Sequence, residues 1–343
     1  MSYYAKVILD SMCVDTGKRI TTLELRYPRF IHSEILTHRD RARNSASSRA
    51  IPFPTMCERV TGDPVVPLQW LSEQKGMQGG DEVPAPLRPL ARAIWLRSME
   101  SQLRKAEELH LLSRTAHELV RGPIGAHRDP GHYNRLASYS GMLSAEEHAM
   151  LRAWCKDDES VVKVHKSIPN RLIEPWMWIT VVMTATEWNN FFRLRCHPDA
   201  EIHFQKIAGM ARDAIRESDP LEENAGSWHL PYVTGAPDQV ELCRAVETSN
   251  YTIEDSRMVN MKLEALVRVS VARCSRVSYE KQGKLSELQE DFDQFERLYK
   301  GSGFGHWSPM EHPAVALHGG DYWRTGPFVG WRQYRKFFPQ ECA

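Results

Sequence analysis

The chain has no Cys-x-x-Cys pair, no net charge and no apolar run long enough to cross a bilayer. Each absence removes a class of protein. The seven cysteines are scattered at positions 13, 57, 155, 196, 243, 274 and 342, which excludes a zinc ribbon and a disulfide framework. Cys196-His197 is the only adjacent Cys-His pair, too few ligands for a metal, so no metal is expected. Basic and acidic side chains balance at 44 each, so no overall field draws nucleic acid or membrane, and any anion site must be local. No nucleic-acid reader motif and no tandem repeat occurs. The N-terminus lacks a signal-peptide pattern, and a cytoplasmic protein is expected.

What is present is enough for a sizeable core: 343 residues, 42% of them hydrophobic. That length suits one large domain or two ordinary ones. Residues 4–10 and Thr21–Tyr27 read as strands, the second from alternating Leu23 and Leu25. Phe30–Leu36 reads as a helical turn, and Pro52 and Pro54 should stop whatever follows Arg49. Pro64–Pro89, rich in Gly and Pro, reads as a long ordered loop or lid. Residues 90–120 read as helix, with a stripe of Leu103, Ala106, Leu109, Leu112, Ala116 and Leu119, closed by Pro123 and Gly125. Ser144 and Glu147 form a capping box. Pro169–Arg195, full of Trp and Phe, reads as a buried helical hairpin, and Pro198–Glu217 as a helix. Val240–Val246 is ambiguous, Leu263–Val277 is a buried strand or helix, and Leu285–Tyr299 is a polar helix. The tail from Gly301 is rich in Gly, Trp and His.

The chemistry concentrates at Thr37-His-Arg-Asp-Arg-Ala-Arg-Asn-Ser-Ala-Ser-Ser-Arg49. Arg39, Arg41, Arg43 and Arg49 face a single Asp40, interleaved with His38, Asn44, Ser45, Ser47 and Ser48. Arginine forks and hydroxyls suit phosphate oxygens. A solvated basic loop has the same composition. The spacing resembles the RHRxxSxNxxSxR signature of the flavin-dependent thymidylate synthases. Thr37 replaces its first arginine and Ala42 its first serine.

Two further stretches are similar to the same family. Asn189-Asn-Phe-Phe-Arg-Leu-Arg195 matches an Asn-Phe-x-x-Leu-Arg run on a core helix, preceded by Asn170-Arg171 to Pro175. Val271-Ala-Arg-Cys-Ser-Arg-Val-Ser-Tyr279, a helix, and Gly305-His-Trp-Ser-Pro-Met-Glu-His312 match an opening that family members carry at their N-terminus. Here it lies at the far end. Leu23–Pro28 and Pro327–Tyr334 both resemble the piece that normally joins that turn to the basic signature. A circular permutation with an overlap accounts for the order.

The resemblance implies one α/β catalytic domain over 1–343, a mixed sheet with a helical bundle in permuted order. Its signature module is 20–52, its core helices 90–217 and its C-terminal module 263–336. Residues 53–100 and 218–262 have no counterpart. It implies FAD as cofactor, NADPH and methylenetetrahydrofolate as co-substrates, conversion of dUMP to dTMP, and a homotetramer. No cysteine nucleophile is needed. By the same resemblance Thr37, His38, Arg39, Asn190 and Ser308 hold FAD. Glu34, Ser45, Ser47, Ser48, Arg49 and Arg171 hold the nucleotide. Arg195 polarises the pyrimidine, where a fixed cation favours charge that builds up on the ring. His306 shapes the folate or flavin side. Glu34 stands where glutamine is usual, and Ser45 where an acid or amide is usual. Those departures leave open a related C5-methylase or hydroxymethylase of dCMP or UMP. Loss of the first signature arginine leaves open a binding protein without catalysis.

Overall fold

The computed structural model describes residues 3–76, 78–121, 130–157, 160–249, 252–281, 285–300, 305–319 and 324–342. Pro123, Gly125 and Gly301 lie outside them. The chain is mixed α/β. Its contacts fall into two compact units, Met1–Ser47 with Pro67–Val83 and Met177–Ala343, and Ser48–Val66 with Pro84–Trp176.

The first unit is built on five strands: β1 (Tyr4–Cys13), β2 (Lys18–Pro28), β3 (Ala42–Ser45), β4 (Trp178–Ala185) and β5 (Leu221–Glu223). Their order is β3-β4-β2-β1-β5, with β5 parallel to β1 and the other pairs antiparallel. β2 and β4 are central. Leu23, Leu25 and Tyr27 of β2 share a face with Ile179, Val181, Met183 and Ala185 of β4. Helix Ile202–Arg216 covers that face with Phe204, Ile207, Ala208 and Ala211.

The other face carries Thr22, Glu24, Val182 and Thr184. On it Val182 clusters with Tyr232, Cys274 and Val277. Helix Met261–Ser275 is buried along most of its length, which settles the Leu263–Val277 ambiguity in favour of helix. A second small sheet joins β6 (Trp228–His229), β7 (Ala314–Ala316) and the last strand, β10 (Trp331–Gln333). A hairpin of β8 (Arg324–Thr325) and β9 (Phe328–Val329) precedes that strand. Val240–Val246 proves helical, within Gln239–Thr248. The polar helix runs Leu288–Lys300.

The second unit is helical. Pro52 caps and Pro54 opens helix Phe53–Gly62, so these prolines start an element where a stop was expected; a proline at a helix start costs no backbone bond. The stretch 90–120 is two helices, Arg88–His110 and Leu112–Arg121, broken at Leu111. The break exposes Leu112 and buries Ser113 and Glu118. The capping box holds: Ser144 N–H donates to Glu147 Oε2 at 2.7 Å and Glu147 N–H to Ser144 Oγ at 3.2 Å.

The expected helical hairpin over Pro169–Arg195 is the main correction. Short helix Pro169–Leu172 gives way to β4, and only Asn189–Arg195 is helix again. Ile179, Thr180, Val181, Val182 and Thr184 are β-branched, and a strand buried on both faces reads as a continuous run without alternation. Leu23 sits on the helix-covered face of this sheet and is fully buried. Leu23→Ala should cost about 2–5 kcal/mol. The expected readout is a lower urea midpoint with an unchanged m-value.

Candidate functional site

The basic segment divides in the folded chain. Arg41 turns inward, its guanidinium 4.5 Å from the Phe191 ring centre and 5.1 Å from that of Trp188. Burial pulls its pKa down, and Asp40, accepting from Nε at 2.9 Å and Nη2 at 2.6 Å, pulls it back. Arg43 Nη1 donates to the carbonyls of Leu36 at 2.9 Å and His38 at 2.7 Å, closing the end of helix His32–Ile35. Arg41 and Arg43, which were not among the expected binding arginines, are thus engaged within the protein. Arg39 and Arg49 are exposed.

Buried His38 meets Arg195, whose Nε donates to His38 Nε2 at 2.9 Å. An imidazole nitrogen that accepts must be unprotonated. Burial, reinforced by the Arg41 and Arg195 charges, holds the His38 pKa down to about 4. Arg195 also stacks 4.5 Å over Phe204 and lies 4.0 Å from Glu34 Oε2. Burial and Glu201 push the Glu34 carboxyl up, and Arg195 opposes them. Glu34 and Arg195 line one cavity of about 950 Å³ with Gln69, Gln78, Asp199 and Glu201. The 67–83 stretch is thus wall as well as loop, fastened by the Leu68 N–H donating to His203 Nε2 at 3.0 Å.

Asn44 joins the basic segment to the C-terminal turn. Its side-chain amide lies 3.4 Å from Ser308 Oγ, a partner 264 residues away, and 3.1 Å from His312 Nε2. Behind it runs a buried polar chain. His312 Nδ1 is 2.8 Å from Thr184 Oγ1, which is 2.7 Å from Thr22 Oγ1. Thr22 Oγ1 is 2.8 Å from His229 Nε2, and His229 Nδ1 is 2.9 Å from Ser11 Oγ. Burial holds His312 at a pKa of about 3; burial and the neighbouring His312 do the same to His229.

The remaining expected residues are placed as follows. Thr37 is exposed and donates its hydroxyl to the Glu34 carbonyl at 2.6 Å. Ser45 pairs with Val181 at the end of β3, and the Ser47 N–H donates to the Ser278 carbonyl at 3.1 Å. Asn190 is exposed on the first turn of its helix and accepts from Arg193 at 3.2 Å. His306 and Ser308 are exposed, and the His306 N–H donates to the Leu298 carbonyl at 2.8 Å. Ser48, Arg49 and Arg171 belong to the second unit. Sequence reasoning did not single out Thr22, His229 or His312 as site residues. Asn44 carried a signal as a fixed position of the signature, and His312 as the last residue of the Gly305–His312 turn.

A flavin dinucleotide needs cations for its phosphates and hydroxyl or amide groups for its ring edges. Arg39, Asn190, Ser308 and His306 offer these groups from exposed positions. His38 has its Nε2 committed to Arg195. These side chains thus carry the chemistry such a group needs, while His38 acts on Arg195. No protein-family model and no curated protein matches the chain.

The depressed histidines set the acid response. An unfolded imidazole takes up its proton near pH 6.5. In the fold His38 resists until about 4, and His229 and His312 until about 3. Below pH 6.5 the unfolded chain binds protons that the native one refuses. The stability these groups contribute is whole above 6.5 and is lost as pH falls toward 3, with a slope of at most about 1.4 kcal/mol per pH unit for each. The melting temperature should fall steadily from pH 7 to 4.5. In an NMR titration the His229 and His312 ring protons should not move over that range; movement centred near pH 6.5 would contradict the assignment.

Proposed function

We propose that the chain is a flavin-dependent thymidylate synthase in permuted order, converting dUMP to dTMP with methylenetetrahydrofolate as one-carbon donor and NADPH as reductant. One observation carries this reading: Asn44 of the basic segment contacts Ser308 and His312 of the C-terminal turn. A permuted family member needs that meeting. A solvated basic loop has no reason to make it.

On this reading Arg39, Asn190, Thr37 and Ser308 hold FAD, and His306 borders the folate or flavin side. Bound FAD would supply the hydride. Arg195 meets the pyrimidine, and His38 steadies its guanidinium through the 2.9 Å hydrogen bond. Neutral at working pH, His38 adds no competing positive charge. Negative charge building on the ring is then met by a cation already in place. Ser45, Ser47, Ser48 and Arg49 are assigned to the nucleotide by the signature alone, and Arg171 by the resemblance of Asn170–Pro175. The same reading makes the protein a cytoplasmic homotetramer.

A second reading has its own observation. Glu34, where the family has glutamine, faces the cavity 4.0 Å from Arg195. A carboxylate accepts from the exocyclic amino group of cytosine. This favours dCMP as an alternative nucleotide, with a methyl or hydroxymethyl product.

Purified protein should be yellow, or become so with added FAD, and should bleach with NADPH faster when nucleotide is present. Protein that stays colourless in excess FAD would end the proposal. Arg195→Ala should lower kcat with a smaller effect on binding, because its partner charge develops only during reaction. Arg49→Ala should raise the nucleotide KM, by about 2–4 kcal/mol if its phosphate pair is desolvated. Steady-state kinetics of both variants with dUMP, dCMP and UMP distinguish the two nucleotide readings. Full turnover in Arg195→Ala would remove the pyrimidine assignment.

A further inference from the structure

The buried chain Asn44–His312–Thr184–Thr22–His229–Ser11 admits one direction of hydrogen bonding. Three atoms face the same amide atom of Asn44 at 3.1 Å: the carbonyl oxygens of Arg43 and Ser308, and His312 Nε2. Carbonyl oxygens only accept, so that amide atom is the nitrogen. An amide nitrogen does not accept, so a proton on His312 Nε2 would face a donor; Nε2 is therefore the unprotonated nitrogen, and the ring proton sits on Nδ1. Nδ1–H then donates to Thr184 Oγ1 across 2.8 Å. The Thr184 hydroxyl donates to Thr22 Oγ1 at 2.7 Å, since the reverse would strand a buried hydroxyl proton. The Thr22 hydroxyl donates to His229 Nε2 at 2.8 Å, so His229 also carries its proton on Nδ1 and donates to Ser11 Oγ at 2.9 Å.

Every member except Asn44 is buried, and no bulk water competes for these bonds. Reversing one bond would oblige the rest to reverse with it, since each interior member donates once and accepts once along the line. The chain crosses β1, β2 and β4 and ends at the contact between β3 and the Ser308–Glu311 turn.

We infer that His312, Thr184, Thr22 and His229 form a single-tautomer relay whose direction is set at its Asn44 end: the Arg43 and Ser308 carbonyls orient the amide, the amide fixes the His312 proton on Nδ1, and the two hydroxyls carry that choice through the sheet to His229. Asn44 acts on His229 without touching it. The Ser308 turn is tied to the sheet through Asn44, and a ligand contacting Ser308 or His306 would meet it there. The functional consequence rests on the proposed flavin reading; the tautomer relay itself does not.

The test uses full-length protein with histidine-selective 15N labelling and solid-state NMR at pH 7, with His229→Asn and His312→Asn spectra for assignment. Both rings should be neutral and protonated at Nδ1. In Asn44→Asp the side chain can only accept, so His312 should take a proton on Nε2 and the relay should reverse, moving the His229 proton to Nε2 as well. Adding Thr22→Val, similar in shape but without the hydroxyl, should leave His229 unmoved in that variant, and Thr22→Ser should let it move again. A ring protonated at Nε2 in the wild type overturns the inference. So does a His229 that stays wholly Nδ1-protonated in Asn44→Asp. If FAD binds as proposed, Asn44→Ala should weaken it about tenfold. Unchanged affinity in Asn44→Ala overturns the tie between the turn and the site. Should no FAD bind, the flavin reading falls, and the tautomer spectra still decide the relay.

Discussion

The register that sets Thr22 opposite Thr184 on the central strand pair governs both faces of the main sheet. Strand side chains alternate, so a slip of one residue would turn Leu23, Leu25 and Tyr27 away from helix Ile202–Arg216 and bring threonines in their place. The hydrophobic face therefore enforces the register, and the register aligns the polar face. Asn44 then lies opposite Val182 and Ala42 opposite Thr184, on the side toward which the Ser308 turn packs. Ordinary apolar burial thus sets the geometry of a polar chain that has little driving force of its own.

Charge is managed by the same division between inside and outside. Burying a guanidinium is costly unless it is paired, and Arg41 meets that requirement with Asp40 and two aromatic faces. Arg43 is absorbed by carbonyls at the end of a short helix, where a cation also complements the backbone dipole. Arg195 keeps part of its surface toward the cavity, stacked on Phe204 and bonded to a neutral His38. A histidine held neutral by burial can accept from a guanidinium without repelling it. That makes the pair a way to fix the arginine without neutralising it.

Much of this could be read from the residues, and the misses have physical causes. The alternation in β2 and the Ser144–Glu147 box are local patterns, and the fold keeps both. β4 was misread because a strand buried on both faces loses its alternation, and its flanking tryptophans and phenylalanines suggested a single aromatic helix pair. The inward turn of Arg41 depends on tertiary neighbours, Trp188 and Phe191, that composition does not reveal. The Ser11–Asn44 relay draws on positions 11, 22, 44, 184, 229 and 312, and nothing in sequence spacing marks those six as neighbours.

On the proposed permuted reading, Leu23–Pro28 and Pro327–Tyr334 are two copies of one connecting piece. Leu23–Pro28 belongs to β2, and Pro327–Tyr334 contains the strand Trp331–Gln333 in the smaller sheet. The two copies do not compete for one place. Leu25 and Tyr27 fill the core beneath helix Ile202–Arg216, while Trp331 and Tyr334 are fully buried in other clusters. Gln333 Nε2 donates to the Glu311 carbonyl at 3.0 Å, so the second copy braces the turn that carries Ser308, and Arg335 just beyond it pairs with the Glu311 carboxylate. In an unpermuted chain one segment could brace that turn and lead directly into the basic signature. Once the order is permuted, the turn and the signature lie at opposite ends of the sequence, and each needs its own stretch of strand to hold it. On the proposed reading, the overlap is therefore a structural requirement of the permutation.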